Sequence, residues 1–337
     1  MGKKGVLLVN LGTPDEPTRG AVYRYLKEFL LDPRVIDIPA VQRNLLVRGL
    51  IAPFRSKSAS KLYQELWTED GSPLKVYGYE LKEKLQKEMG DAYLVELAMR
   101  YQSPSMESVL KNMLEQHVSE LILVTLFPHY ASASTGSVYE EVMRILSKVQ
   151  GIPKLRFINS FYDHPDFIAS IMERAKEHNL EEYDHVLFSY HGLPVRQLVK
   201  ADLGNHCTKA KDCCLTISDK NQHCYSAQCH ATTKALVKEL GLKEGQYTTC
   251  FQSRLGKEPW VEPYTTDVLQ QRADAENKRL LVFCPAFVAD CLETTIEVSV
   301  EYMEEFEEMG GEHVQLVDSL NDHPRWVTGL KNIILEA

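Results

Sequence analysis

The sequence predicts an α/β fold made of two similar units around parallel strands, and three observations predict it. Short β-rich apolar runs alternate with amphipathic stretches long enough for helices, the pattern of helices layered on a parallel sheet. The strand ends repeat: VLLVNLGTP and ILVTLFPHY in the first half answer VLFSYHGLP and LLVFCPAFV in the second, in the same order. A length of 337 residues with 44% apolar composition suffices for one large core or two.

Taken in order, Val6 to Asn10 opens the chain as a strand, and Arg19 to Leu31 follows as a helix with Asp15 and Thr18 as candidate caps. Residues 94–99, 121–126, 186–190 and 280–284 are the next strands. Residues 80–89, 105–116, 137–148 and 231–240 carry the helical spacing between them. Gly151-Ile152-Pro153 marks the join, which divides the chain into residues 1–152 and 153–316. Residues 317–337 are expected to pack back on the first unit. Two such units carry functional loops at the carboxyl ends of their strands, facing a shared cleft.

Composition excludes several classes of partner. A formal charge of -9 argues against nucleic acid, whose phosphates select a basic face. No apolar run approaches the ~18 residues that a membrane span needs. Gly5 to Val9 is too short an apolar stretch for a secretory signal, so the expected compartment is the cytoplasm. There, eight cysteines read as thiols or metal ligands rather than disulfides.

Two motifs carry chemistry. The run Val186 to Tyr190 ends on His191 and turns at once through Gly192-Leu193-Pro194, which sets an imidazole at a strand-to-loop edge. An isolated His there is more often bonded to backbone, but imidazole also titrates near pH ~6.5 and serves as base or ligand. Further on, Glu293, Glu297 and Glu301 follow one another at steps of four, so a helix carries three carboxylates along one side. Like charges at that spacing cost about a few tenths of a kcal/mol per pair unless a cation or shared proton offsets them. They read as a metal or proton conduit.

NLGTP at 10–14, SYHGLP at 189–194, FQSRLGKEPWVEPYT at 251–265 and CPAFVADCLET at 284–294 together resemble the ferrochelatase family, from about Val6 to past Val317. The resemblance implies a class II chelatase-like fold, two Rossmann-like lobes with parallel four-stranded sheets around a central cleft. It implies an enzyme of bacterial heme biosynthesis, inserting ferrous iron into a porphyrin with release of two protons. His191 then matches the family's base and iron ligand, and Glu293 its carboxylate partner. Cys291 stands where some members carry a second His, which leaves His191 as the principal base. The ADCLET pattern is closer to members that use protoporphyrin IX than to those that use coproporphyrin.

For the porphyrin, Arg100, Tyr101, Tyr130 and Ser132 resemble cleft residues, and 45–54, including Leu50 and Ile51, resembles the lip over the pocket. With Arg43, Arg48, Arg55 and Lys57 around it, that lip is also a surface for transient contact with the inner membrane. Trp260 reads as structural.

Residues 205–229 pack Cys207, Cys213, Cys214, Cys224 and Cys229 into one segment. The spacing is neither a zinc ribbon nor a ferredoxin run. A subset of bacterial ferrochelatases is similar here, with an internal cysteine-rich insertion that binds a [2Fe-2S] cluster through four thiolates. Cys229 falls where cluster-free relatives also have Cys. Omitting it leaves Cys207, Cys213, Cys214 and Cys224; including it makes one of the adjacent pair spare.

Two other readings stay open at this point: a coproporphyrin or other tetrapyrrole chelatase, and an iron-sulfur or heme-binding redox or carrier protein. Either a monomer or a homodimer fits the sequence.

Overall fold

The computed structural model describes residues 2–210, 212–256 and 258–337. Met1, Lys211 of the cysteine segment and Lys257 of the 251–265 motif lie outside the described residues.

The chain forms two compact units. The first comprises the residues up to Phe127, Ala131–Ser160 and Asp322–Ala337; the second comprises Pro128–Tyr130 and Phe161–Asn321. The expected join at 151–153 therefore falls inside the first unit. Its last strand, Lys154–Ile158, lies beyond that join and pairs with Glu120–Thr125.

Each unit holds one four-stranded, all-parallel sheet. In the first, β1 (Lys4–Asn10), β2 (Tyr93–Met99), β3 (Glu120–Thr125) and β4 (Lys154–Ile158) lie in the order β2-β1-β3-β4. In the second, β5 (His185–His191), β6 (Tyr247–Gln252), β7 (Arg279–Phe283) and β8 (His313–Leu316) lie in the order β6-β5-β7-β8. The two orders are the same permutation. The repeated strand-end motifs sit on its equivalent central strands, β1 with β5 and β3 with β7.

Central strands explain their own sequences. All six residues of β3 are buried, as are the first six of β5, because helices cover both faces of a parallel sheet. Leu7, Leu123, Leu110, Met113, Val138 and Val142 fill one core of the first unit, and Leu187, Val282, Val298, Tyr302 and Phe306 one core of the second.

The first helix, Arg19–Leu31, starts where Thr18 Oγ1 accepts the Ala21 N–H at 3.3 Å. Asp15, the other candidate, instead pairs with Lys75 at 2.6 Å. The C-terminal helix, Pro324–Glu336, packs on Pro73–Met89, with Lys331 and Thr328 reaching Glu88. Residues 317–321 stay with the second unit, where the Asn321 N–H donates to the Val288 carbonyl at 2.8 Å.

The acidic stripe differs from its expectation. Leu292–Tyr302 is a π-helix rather than an α-helix. Most π turns are single bulges, often at functional sites, and this one runs for 11 residues. Its wider turn brings residues five apart together, which is what allows Tyr302 to bond Glu297. Shorter π turns occur at Val47–Ile51 and Ser132–Gly136, the latter in the loop after β3 that corresponds to the loop after β7.

Candidate functional site

The second unit gathers its chemistry at the carboxyl ends of β5, β6 and β7. His191 is the last residue of β5 and lies beside Gln252, the last residue of β6. The Gly192 N–H donates to the Gln252 carbonyl at 2.8 Å, and a Cβ on Gly192 would meet that same oxygen at 2.9 Å. Only glycine lets the two chains approach this closely.

The His191 Nδ1 lies 2.6 Å from the Gly192 carbonyl, which can only accept, so Nδ1 carries the hydrogen. Nε2 of the neutral ring is thereby left with its lone pair, the state required of a base or metal ligand. The ring is half-buried between Trp260 and Phe287, with centroids 6.5 and 6.4 Å away.

Gln252 joins this imidazole to the acidic helix. Its Nε2 donates to the Glu293 carbonyl at 2.7 Å and to Glu297 Oε2 at 3.2 Å, while its Oε1 accepts from Ser189 at 2.8 Å. Glu297 also accepts from Ser253 at 2.7 Å and from Tyr302 at 2.8 Å. Burial, and then the Glu297 charge, push the Tyr302 phenol well above its usual range, so Tyr302 stays a donor. Along the helix Glu293 and Glu297 are half-buried and Glu301 is exposed. Glu305, next on the chain, is raised by burial and then by Glu301 and Glu297, as a row of like charges requires. Cys291 is buried at the head of the helix, as a small apolar residue would be.

Gln252, Ser253 and Tyr302 were not singled out in the sequence. The FQS motif contains the first two. Tyr302 has no signal at α-helical spacing.

His129 and Tyr130 belong to this unit too. The Tyr130 N–H donates to Gln228 Oε1 at 2.7 Å, and its ring lies 5.7 Å from that of His223. His129 is fully buried, bonded through Nε2 to Thr232 at 2.8 Å, and burial lowers its pKa to about 3. The unfolded chain protonates this ring near pH ~6.5, while the folded protein holds it neutral until about pH 3. Stability is therefore lost as pH falls through that window, by about 2 kcal/mol between pH 7 and 5. His129→Gln is expected to flatten this part of a urea-midpoint profile, and an unchanged slope would remove His129 as its cause.

The four thiols that remain when Cys229 is left out stand in one place. Cys213 and Cys214 sulfurs are 3.6 Å apart and those of Cys214 and Cys224 are 3.8 Å apart. With Cys207 they line a hollow of about 380 Å³, and all four are partly exposed. Cys229 is fully buried inside the helix Tyr225–Leu240 and is absent from that lining.

Among the described residues no three of these sulfurs lie within 4.8 Å of one another, whereas a tetrahedral zinc site holds its thiolates at roughly 3.8 Å. The two short pairs themselves match that spacing, so as sulfur donors the four thiols suit a single tetrahedral ion and an iron-sulfur cluster alike. Burial pushes the Cys207 thiol up to about 11. Cys224 is held below the usual range by its bond from Cys214, aided by N–H groups of the helix it caps.

In the first unit Arg100 pairs with Asp32 at 2.8 Å, lies over the Tyr101 ring at 4.6 Å and donates to Ser137 at 2.7 Å. Tyr101 differs from a cleft-wall residue. It is 1% exposed and its hydroxyl donates to Asp32 at 2.9 Å, so its part is to fix Arg100 from behind. Ser132 accepts from Arg34 at 2.9 Å. Leu50 is exposed and Ile51 half-buried on the π turn, beside Val41, Leu45 and Phe54, which are all exposed.

Comparison with known proteins agrees with this architecture. The ferrochelatase family model matches residues 3–337. The ferrochelatase of Legionella pneumophila (strain Lens) is 43% identical over 334 residues, 99% of both chains. That of Coxiella burnetii (strain Dugway 5J108-111) is 44% identical over 330 residues, covering 97% of this chain and 92% of its own. Among solved structures, SirB from Bacillus subtilis with Fe3+ aligns with a TM-score of 0.52 at 12% identity, over 99% of this chain and 95% of its own, which shows a shared chelatase fold. On a family match that spans nearly the whole chain and relatives this close, the chain belongs to the ferrochelatase family, enzymes that insert iron into a porphyrin for heme synthesis.

Proposed function

We propose that the chain inserts Fe(II) into protoporphyrin IX to give protoheme and two protons, with His191 as base and Glu293 as its carboxylate partner. The carrying observation is the 2.6 Å contact between His191 Nδ1 and the Gly192 carbonyl, which assigns the hydrogen to Nδ1 and, in the neutral ring, leaves Nε2 its lone pair. A porphyrin holds two pyrrole N–H protons that must leave as the metal enters. Once the metal has passed from Nε2 to the ring, that lone pair is suited to take them one at a time and hand each to the carboxylate series before the next. Fe(II) accepts nitrogen and oxygen donors alike, so His191 and Glu293 together suit its delivery. Glu297 and Glu301 continue the carboxylate series outward, a route for protons out or metal in.

Arg100, Tyr130, Ser132, Leu50 and Ile51 are the proposed porphyrin contacts, with Tyr101 supporting Arg100. The exposed apolar row Val41, Leu45, Leu50 and Phe54, with Arg43, Arg48 and Arg55 among them, supports transient contact with an anionic membrane surface. No helix of the described residues is long and apolar enough to cross a membrane. We place the enzyme in the cytoplasm, at times at the inner membrane. Turnover tests this reading: Fe(II) with protoporphyrin should give the heme spectrum, and faster turnover of coproporphyrin would reassign the substrate.

The segment 207–224 fits a [2Fe-2S] cluster on Cys207, Cys213, Cys214 and Cys224. When bound, the cluster supplies four iron–thiolate bonds that tie the segment together. Its role is structural, since insertion of Fe(II) consumes no electrons. Cys214→Ser is expected to abolish the visible iron–thiolate absorption of protein purified without oxygen, while Cys229→Ser retains it. Loss of the absorption in Cys229→Ser alone would reassign the fourth ligand.

A further inference from the structure

The peptide joining His191 to Gly192 is clamped from both sides. A trans peptide directs its C=O and N–H oppositely. The Gly192 N–H reaches the Gln252 carbonyl on β6 at 2.8 Å. On the other side β7 has ended, since its pairing with β5 stops at Phe188 and Phe283. The His191 carbonyl therefore has no strand to meet there. Its partner is the Tyr225 hydroxyl, which donates at 2.8 Å from a buried side chain. The imidazole itself bonds the next carbonyl, Gly192 O, one peptide further on, so the aim of Nε2 follows the backbone on both sides of Gly192.

Tyr225 is the first residue of its helix, directly after Cys224. Further along that helix Thr233 bonds Tyr190 at 2.9 Å and Thr232 bonds His129 at 2.8 Å. Its start is held by the thiol segment. The Cys224 N–H donates to the Asn221 carbonyl at 2.8 Å. Asn221 Nδ2 in turn donates to the carbonyls of Cys213 and Thr216, both at 2.8 Å, and Gln228 Nε2 donates to the Gln222 carbonyl at 2.7 Å. Short polar contacts thus run from the backbone of the thiol segment through Asn221 to Cys224, and from the adjacent Tyr225 to the strand end.

We propose that Tyr225 is a positioning residue for His191, and that through its hydroxyl the segment 207–224 governs the orientation of the imidazole. This rests on the reading of His191 as the base. Tyr225 touches no reacting atom. It replaces the missing strand partner, and whatever orders or loosens the thiol segment moves the first helical turn and with it the His191 carbonyl.

The test uses the full-length protein with 13C-labelled histidine, the His191 ring signal being assigned with His191→Gln. Tyr225→Phe is expected to shift that signal and lower kcat about tenfold, with KM for porphyrin and iron unchanged. Thr233→Val removes a buried hydroxyl of the same helix and is expected to leave the signal in place. Asn221→Ala, which loosens the thiol segment, is expected to shift the signal in the wild-type background but not in Tyr225→Phe.

An unmoved signal and unchanged kcat in Tyr225→Phe overturn the proposal, as does an equal Asn221→Ala shift in both backgrounds. Should Tyr225→Phe fail to fold, an unmoved signal in Asn221→Ala alone decides against it. Full activity in His191→Ala would instead overturn the base assignment, and the ring signal would still report the coupling.

Discussion

His191→Ala is expected to lower kcat for iron insertion by about a thousandfold while leaving porphyrin binding within a few-fold of wild type. The magnitude follows from removing both functions proposed for one imidazole. Proton transfer by a positioned base contributes about 10²–10⁴ in rate, and no second imidazole stands at the helix head, where Cys291 is buried instead. Binding is spared because the ring offers one half-buried edge against a large flat ligand. Initial rates from the Soret change under anaerobic conditions, with porphyrin fluorescence titration for affinity, separate the two effects. A variant that keeps a tenth or more of wild-type kcat would mean that the pyrrole protons leave by another group.

The second large effect is at Glu297. Its two oxygens satisfy Ser253, Gln252 and Tyr302, so truncation strands three donors in a partly closed network. Each stranded donor costs about 1–3 kcal/mol, and partial access of water brings the expected total for Glu297→Ala to about 3 kcal/mol. Gln252 also holds the Glu293 carbonyl and the His191 strand, so kcat should fall on the order of a hundredfold as well. Glu297→Gln keeps one acceptor and the side-chain volume, and should recover over half of the lost stability. Urea midpoints and initial rates measured on both variants decide this. Equal stability of Glu297→Ala and wild type would show that the network does not hold the helix.

How much was legible in the sequence follows from where each element sits. The central strands β1, β3, β5 and β7 declared themselves because burial on both faces selects continuous apolar runs. The unread strands are edges: KLRFI, YTTCFQ and HVQL keep polar residues along the exposed margin, and Arg156 on β4 serves Glu120 rather than a core. The stripe of Glu293, Glu297 and Glu301 was visible as spacing, but the π turn that carries it was not. Its buried residues 294, 298 and 302 keep steps of four that an α-helix also shows, with 296 alone off the stripe, so the spacing does not distinguish the wider turn.

The place of His191 at the end of β5 could be read from the apolar run before it. Gln252, Tyr302 and Tyr225 could not, since their importance lies in which distant backbone or carboxylate they reach. Their partners are 41, 5 and 34 residues away in the chain.

The central claim is that one imidazole and one carboxylate series serve the same metal ion in the same reaction. Crystals of the protein soaked with Co(II), with anomalous data collected at the cobalt edge, test it most directly. The account predicts a peak bonded to His191 Nε2 and a Glu293 oxygen at about 2.1 Å, lost in His191→Ala. A metal held by Glu293, Glu297 and Glu301 alone, at full occupancy in His191→Ala, would contradict it.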